Sequence, residues 1–429
     1  MVPRMGIYVH IPFCASKCGY CDFYSRAGCE GDMPRYQQAL LTHIRECVPR
    51  IAPAYIDTVY FGGGTPSYYG ARRIAQILDE IKCSGLLMRT AEITVEANPD
   101  SVTRGDLRIL RRAGVNRLSI GMQSANNDIL KMIGRRHNFK QVEMAVRHAR
   151  MEGFDNVSLD LIYGLPSQSA GDWAESLARA LELHPEHLSA YGLKLEPGTP
   201  MYELKDSPLI PDEDLQADMY LAMIETLARY NYKQYEISNF CIPGYESRHN
   251  FKYWRLEDYL GFGPGAHSCV GRTRYSYVRD LEGYISGVLK SGDMIDEYEQ
   301  IGDFERGSEY LMLGLRTAWG ITKQEYQAFY NNRFDDILRT LESFREHGWA
   351  VEEKGRGTSR RRAFSCPTSS SARCSRRRRT AAPSRRRGFV RRWSSSPGSR
   401  CRSSVPRRWK RCRGPRKKNR NKYEFRIQG

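Results

Sequence analysis

Three cysteines in the stretch "CASKCGYCDFYS", residues 14–25, are close enough in sequence to share one loop: Cys14, Cys18 and Cys21. Thiols brought together in this way can hold a metal. A structural zinc site closes with four ligands and normally brings a second Cys or His pair. Here Cys29, Cys47, Cys83, Cys241 and Cys269 stand singly. A disulfide would leave one thiol over. An iron–sulfur cluster on three thiolates keeps one iron open for a further ligand. Zinc and an iron–sulfur cluster are the two metal readings these residues pose.

Further residues with chemical potential recur along the first half of the chain. They are "GGGTP" (Gly62 to Pro66), Glu96 in "EANP", Gln123 in "GMQS", Asp160 in "LDLIYG" and Lys194 in "YGLKLEPG". Each alone has an ordinary explanation: glycines serve turns, and an acid at a strand end caps a helix. Their regular placement asks for more, because each follows a short apolar run.

Those runs are the elements that must position them. "GIYVHIPF", "TVYFGGG", "EITVEANP", "RLSIGMQS", "NVSLDLIYG" and "HLSAYGLK" read as strands. Between them lie helix-like stretches such as "PRYQQALLTHIRECV", "ARRIAQILDEI" and "FKQVEMAVRHARMEG". Strand and helix alternating in this way predict parallel strands joined by right-handed crossovers. Near-continuous apolar strands mean that both sheet faces are covered. The fold class is therefore α/β, and a partial, TIM-like (β/α)6 barrel suits it. Such barrels keep their chemistry at the C-terminal strand ends, where the polar residues fall.

At 429 residues the chain is long enough for two domains. No apolar run reaches the roughly 18–20 residues needed to span a bilayer, and the N-terminus lacks the pattern of a secretory signal. The expected compartment is the cytoplasm, where thiols stay reduced. The net charge of +18 is concentrated at one end. Residues 355–429 hold 27 Lys and Arg against one acid, Glu424, and contain no Leu. The remainder is net acidic. The tail cannot bury enough apolar surface to order itself. It reads either as a basic nucleic-acid arm or as out-of-frame sequence. The abrupt change in composition favours the second, so no nucleic-acid partner is expected.

The cysteine loop "CxxxCxYC" after a first strand resembles the radical SAM superfamily. There a [4Fe–4S] cluster chelates S-adenosylmethionine (SAM) through its open iron. "IYVHIPFCASKCGYCDF", "YFGGGTPS", "RLSIGMQS" and "DLIYGLP" are similar to the branch containing oxygen-independent coproporphyrinogen dehydrogenase (HemN) and the haem chaperone HemW. The resemblance covers roughly residues 6–350. It implies a radical SAM barrel over residues 1–245 and a smaller, mostly helical C-terminal domain over 246–354. That domain is expected to be truncated, with the tail at 355–429.

Carried over position by position, Cys14, Cys18 and Cys21 become cluster ligands. Tyr8 and Tyr20 flank the cluster and its SAM, Gly63, Gly64 and Thr65 contact the SAM amino acid moiety, and Glu96 matches a SAM-contacting acid. Gln123, Arg135 and Asp160 match positions at a second SAM in the dehydrogenase; Lys194 joins the cofactor-binding candidates from its strand end.

Two features point within that branch to the chaperone. Phe23 stands where the dehydrogenase pattern has a fourth cysteine, and "HNFKYW", His249 to Trp254, fits the chaperone motif HNxxYW. The motif offers an imidazole for haem iron, with Tyr253 and Trp254 able to pack on a flat macrocycle. The plainer alternative is that His249 caps a helix and the aromatics fill a seam. His267 and Cys269 are rival ligands. The resemblance thus implies haem as cargo, haem-requiring apoproteins as receivers and an electron donor for the cluster. Peripheral membrane association is a further expectation. Oxidative decarboxylation of coproporphyrinogen is the other reading, and the cysteine replaced by Phe23 argues against it.

Overall fold

The computed structural model describes residues 2–290, 292–330, 334–347, 350–353 and 356–359. Six strands form its centre: β1 (Arg4–Ile11), β2 (Tyr55–Gly63), β3 (Leu87–Ala97), β4 (Arg117–Gln123), β5 (Val157–Tyr163) and β6 (His187–Gly192). All are parallel, and each pairs with the next in chain order. Every strand predicted from the apolar runs is present, and the C-terminal ends face one side.

The helices between strands start and stop where local chemistry requires. Thr103, Asn138 and Ser169 each close a capping box at a helix N-terminus. Gly114 ends the helix Arg104–Ala113 with a φ of 102°, which a Cβ would resist. The wall itself alternates: Leu118, Ile120 and Met122 of β4 pack outward into the core, whereas Arg117, Ser119, Gly121 and Gln123 line the interior.

The barrel does not close on itself. Beyond β6 the sheet continues antiparallel through β8 (Asn239–Cys241) to β7 (Lys233–Gln234). On the other edge β9 (Tyr259–Phe262) lies parallel to β1. It is followed by β10 (His267–Val270), β11 (Thr273–Tyr277) and β12 (Ile295–Gln300). No break in the sheet marks residue 245, because the later strands satisfy the free edge of β1.

Three helices, Asp303–Gly314, Lys323–Tyr330 and Asp335–Glu346, build a second small core from Leu311, Leu315, Ile321, Tyr326 and Ile337. The turn after the first of them returns to the barrel, where Ala318 N–H donates to Tyr235 O at 2.8 Å. A hairpin of β13 (Ala350–Glu353) and β14 (Arg356–Ser359) follows. The tail boundary drawn at Gly355 falls inside that hairpin, so backbone pairing carries the fold to Ser359. The tail expectations beyond it, including its reading as an out-of-frame or nucleic-acid segment, lie outside the described residues. No helix among the described residues is long and apolar enough to cross a membrane.

Candidate cluster and ligand site

The cysteine loop is pinned by backbone bonds from several elements. Cys14 N–H donates to Arg26 O at 3.0 Å, Gly19 N–H to Ile133 O at 3.1 Å, and Met201 N–H to Gly19 O at 3.0 Å. Cys14, Cys18 and Cys21 are free thiols that open into one cavity of about 560 Å³. Burial pushes the Cys14 thiol up and that of Cys21 up to about 11. Such thiols need an electropositive partner to ionise, and a bound metal supplies one. Among the described residues, no three Cys, His, Asp or Glu side chains converge on a single ion.

Beside the thiols, β2 runs into a glycine cradle. Gly64 N–H donates to Ile11 O at 2.7 Å and Thr65 N–H to Phe13 O at 2.8 Å. A Cβ on Gly64 would lie 2.8 Å from Ile11 O and 3.1 Å from Cys14 Sγ. Gly63 has a φ of 110°, and its Cβ would meet the His10 ring at 2.5 Å. Glycine is required at both positions because a side chain there would collide with the β1 backbone, the Cys14 sulfur or the His10 ring. Thr65 Oγ1 lies 3.4 Å from Cys14 Sγ.

Glu96 closes the cradle from β3. It accepts from Tyr60 OH at 2.8 Å and from Gly63 N–H at 3.2 Å. Burial pushes its carboxyl up to about 7. Arg135 donates to Asn98 Oδ1 at 2.9 Å and Gly121 O at 2.8 Å, and its guanidinium is 3.9 Å from Cys18 Sγ. Gln123 sits at φ 62°, strained for a side-chain-bearing residue, where β4 turns off the barrel rim. Asp160 accepts from Ser119 Oγ at 3.0 Å, and burial raises its carboxyl. Lys194 pairs with Glu196 at 2.8 Å and stands exposed at the cavity mouth.

Residues 8–180 match the model of the radical SAM superfamily. The chain is 36 % identical to the heme chaperone HemW of Bacillus subtilis over 340 residues, 78 % of this chain and 89 % of that protein. It is 35 % identical to the heme chaperone HemW of Escherichia coli over 345 residues, 79 % and 89 % of the two chains. This chain belongs to the HemW family of radical SAM proteins. The solved structure of Escherichia coli coproporphyrinogen III oxidase (HemN), a radical SAM enzyme, superposes with a TM-score of 0.76. It does so at 22 % identity, covering 87 % of this chain and 90 % of that one, and shares the fold.

Membership of the superfamily implies SAM and a [4Fe–4S] cluster, and the HemW-type site fits both. Three free thiols share a cavity with Gly63 and Gly64, positions that admit no side chain. Tyr20, Gly63, Gly64, Thr65, Glu96, Gln123, Arg135, Asp160 and Lys194 line that same cavity, as does Phe23. Tyr8 does not. Its hydroxyl donates to His10 Nδ1 at 3.1 Å behind the wall, and its ring stacks on Tyr60. His10 Nε2 meets the Tyr24 carbonyl at 2.8 Å, so Nε2 carries the proton and Nδ1 is the acceptor.

The HemW motif "HNFKYW" forms the helix Arg248–Trp254, which docks at the opposite end of the barrel from the thiols. Glu92 of β3 accepts from the backbone N–H groups of Arg248 and His249, both at 3.0 Å. The His249 ring is buried, with Nδ1 2.8 Å from Thr58 Oγ1 and Nε2 2.9 Å from Tyr253 OH. Burial pulls its pKa down to about 3. Both nitrogens are hydrogen-bonded, so in this arrangement His249 and Tyr253 tie a helix to the barrel base. Trp254 lines the cavity from below. Lys252, 2 % exposed, is ion-paired to Asp57 of β2 at 2.8 Å. Of the rival ligands, Cys269 is buried against Arg306 at 3.8 Å, while His267 is exposed on β10.

Sequence reading missed Arg117, Ser119, Glu236, Asn239 and Arg316, which also line the cavity. The period-2 alternation of "RLSIGMQ" marks Arg117 and Ser119 as inward-facing once β4 is placed in a barrel. Nothing local marks Glu236, Asn239 or Arg316, which the later strands and turn bring in.

Proposed function

We propose that this chain is a haem chaperone of the HemW type: it binds haem for delivery to haem-requiring apoproteins and carries a SAM-binding [4Fe–4S] cluster on Cys14, Cys18 and Cys21. The observation that carries this reading is the similarity to HemW proteins over 89 % of their length, with the three thiols and the glycine cradle in one cavity in support. When bound, such a cluster supplies an electron to the sulfonium of SAM. The chain's own part is to hold and orient. Gly63 and Gly64 let backbone approach the ligand, Thr65 and Arg135 stand beside the Cys14 and Cys18 sulfurs, and Glu96 faces the amino acid end. Arg135 offsets negative charge on the Cys18 thiolate.

Haem ligation goes to His267 in this reading, because that residue is exposed on β10 while both ring nitrogens of His249 are internally bonded. The test is haem titration of the full chain after anaerobic reconstitution. The expected result is a Soret band that follows iron redox state, with His267→Ala weakening binding at least about tenfold (about 1.4 kcal/mol). Unchanged haem binding in that variant would remove His267 as ligand. Absence of saturable haem binding by the wild-type chain, or turnover of coproporphyrinogen, would overturn the chaperone reading.

A further inference from the structure

One chain of side-chain hydrogen bonds links the Cys18 and Cys14 sulfurs. Arg135 Nη1 stands 3.9 Å from Cys18 Sγ, and Nη2 donates to Asn98 Oδ1 at 2.9 Å and to Gly121 O at 2.8 Å. Asn98 Nδ2 donates in turn to Thr65 Oγ1 at 3.5 Å, and Thr65 Oγ1 donates to Cys14 Sγ at 3.4 Å. The donor directions follow from the groups present. A guanidinium can only donate, so the Asn98 oxygen must face Arg135 and its amide nitrogen must face Thr65. The Thr65 oxygen is thereby the acceptor from Asn98, and its single proton is left for the Cys14 sulfur. Gly121 makes room for this arrangement, since a Cβ there would lie 2.7 Å from Arg135 Nη2.

Hydrogen bonds to the sulfurs of an iron–sulfur cluster, and positive charge beside them, set its reduction potential. Both favour the reduced state, which carries one more electron, and so raise the potential. We infer that Asn98 is a positioning residue for the cluster: by holding Arg135 and Thr65 together it aims a cation at the Cys18 sulfur and a hydroxyl proton at the Cys14 sulfur, and so raises the potential. The step it tunes is a one-electron reduction by a low-potential donor, in which no bond forms or breaks and no proton moves. Ser25 also bonds to the Cys14 sulfur and Tyr20 to that of Cys18, so losing the Asn98 bridge weakens this polarisation without removing it. The inference rests on the cluster assignment proposed above and makes no use of haem.

The test is an anaerobic redox titration of the reconstituted full chain without SAM. Ti(III) citrate supplies the electron, and the EPR signal of the reduced cluster is the readout. Thr65→Val should shift the one-electron equilibrium away from reduction at least about threefold, roughly 28 mV to lower potential. Thr65→Ser keeps the hydroxyl and should keep the wild-type midpoint. Arg135→Met should also lower the midpoint; if that variant loads no iron, the Thr65 and Asn98 variants carry the test. Asn98→Asp offers only acceptors, so it turns the Thr65 hydroxyl toward itself and away from Cys14. Its midpoint should fall, and adding Thr65→Val to it should produce no further drop. A merely structural Asn98 would alter iron content without this coupling. A Thr65→Val midpoint equal to the wild type's, or the same Thr65→Val drop with and without Asn98→Asp, would overturn the proposal and leave the cluster assignment standing. A wild-type chain with no reducible cluster would overturn both.

Discussion

His249 Nε2 and the Tyr253 hydroxyl lie 2.9 Å apart across one turn of a seven-residue helix, while Thr58 of β2 engages the other ring nitrogen. This link fastens the segment after residue 245 to the barrel base. His249→Ala should cost roughly 2–4 kcal/mol, since it opens a cavity and leaves two buried hydroxyls unpaired. Tyr253→Phe should cost about 1 kcal/mol. Urea unfolding of the full chain measures both, and a loss under about 0.5 kcal/mol for His249→Ala would mean the ring is not structural.

The same histidine sets a pH dependence. Its folded pKa, about 3, lies below the ordinary 6.5, so the unfolded chain binds more protons between those values. The stability it contributes is full above about 6.5 and is lost as pH falls toward 3. By pH 5 the loss should be about 2 kcal/mol. His249→Gln should show a smaller drop in thermal midpoint from pH 7 to pH 5 than the wild type does.

Glu96 works in the opposite sense. Burial raises its carboxyl from 4.5 to about 7, so the folded chain holds the proton more tightly than the unfolded one. Stability from this group is present below 4.5 and is lost as pH rises through 7. Glu96→Gln, measured without SAM, should raise the thermal midpoint at pH 8 relative to the wild type more than it does at pH 5. A pH-independent difference would show that the carboxyl titrates normally.

Gly64→Ala places a methyl against Ile11 O, Phe13 O and Cys14 Sγ. The backbone of β1 and the cysteine loop must shift. The expected outcome is a folded chain with iron binding reduced at least severalfold after reconstitution. Iron assay and far-UV circular dichroism separate that result from global unfolding.

Alanine at Cys14, Cys18 or Cys21 should each abolish the brown chromophore and reduce bound iron from about four per chain to near zero. Cys83→Ala, at an exposed thiol far along the chain, should leave iron content unchanged. Full iron in any of the three loop variants would remove that residue from the ligand set.

The sequence by itself determined the six parallel strands, because each was an apolar run with the period and flanks a buried strand requires. It also determined the thiol loop and the glycine cradle, whose residues are adjacent in the chain and whose chemistry depends on local spacing. Glu96, Gln123 and Asp160 were legible for a related reason: parallel strands put every C-terminal end on one face. Only the tertiary structure decided where "HNFKYW" sits. Its residues read as haem candidates with a structural seam as the alternative, and neither reading points to Thr58 and Glu92, more than 150 positions earlier, which hold the helix. The barrel floor was likewise illegible. Arg117 looks like an ordinary strand residue, and Glu236, Asn239 and Arg316 meet it only because the antiparallel strands after β6 and the turn at Thr317 fold back onto the barrel. Long-range contacts of that kind leave no periodic trace in the chain, since each partner is chosen by packing rather than by its neighbours.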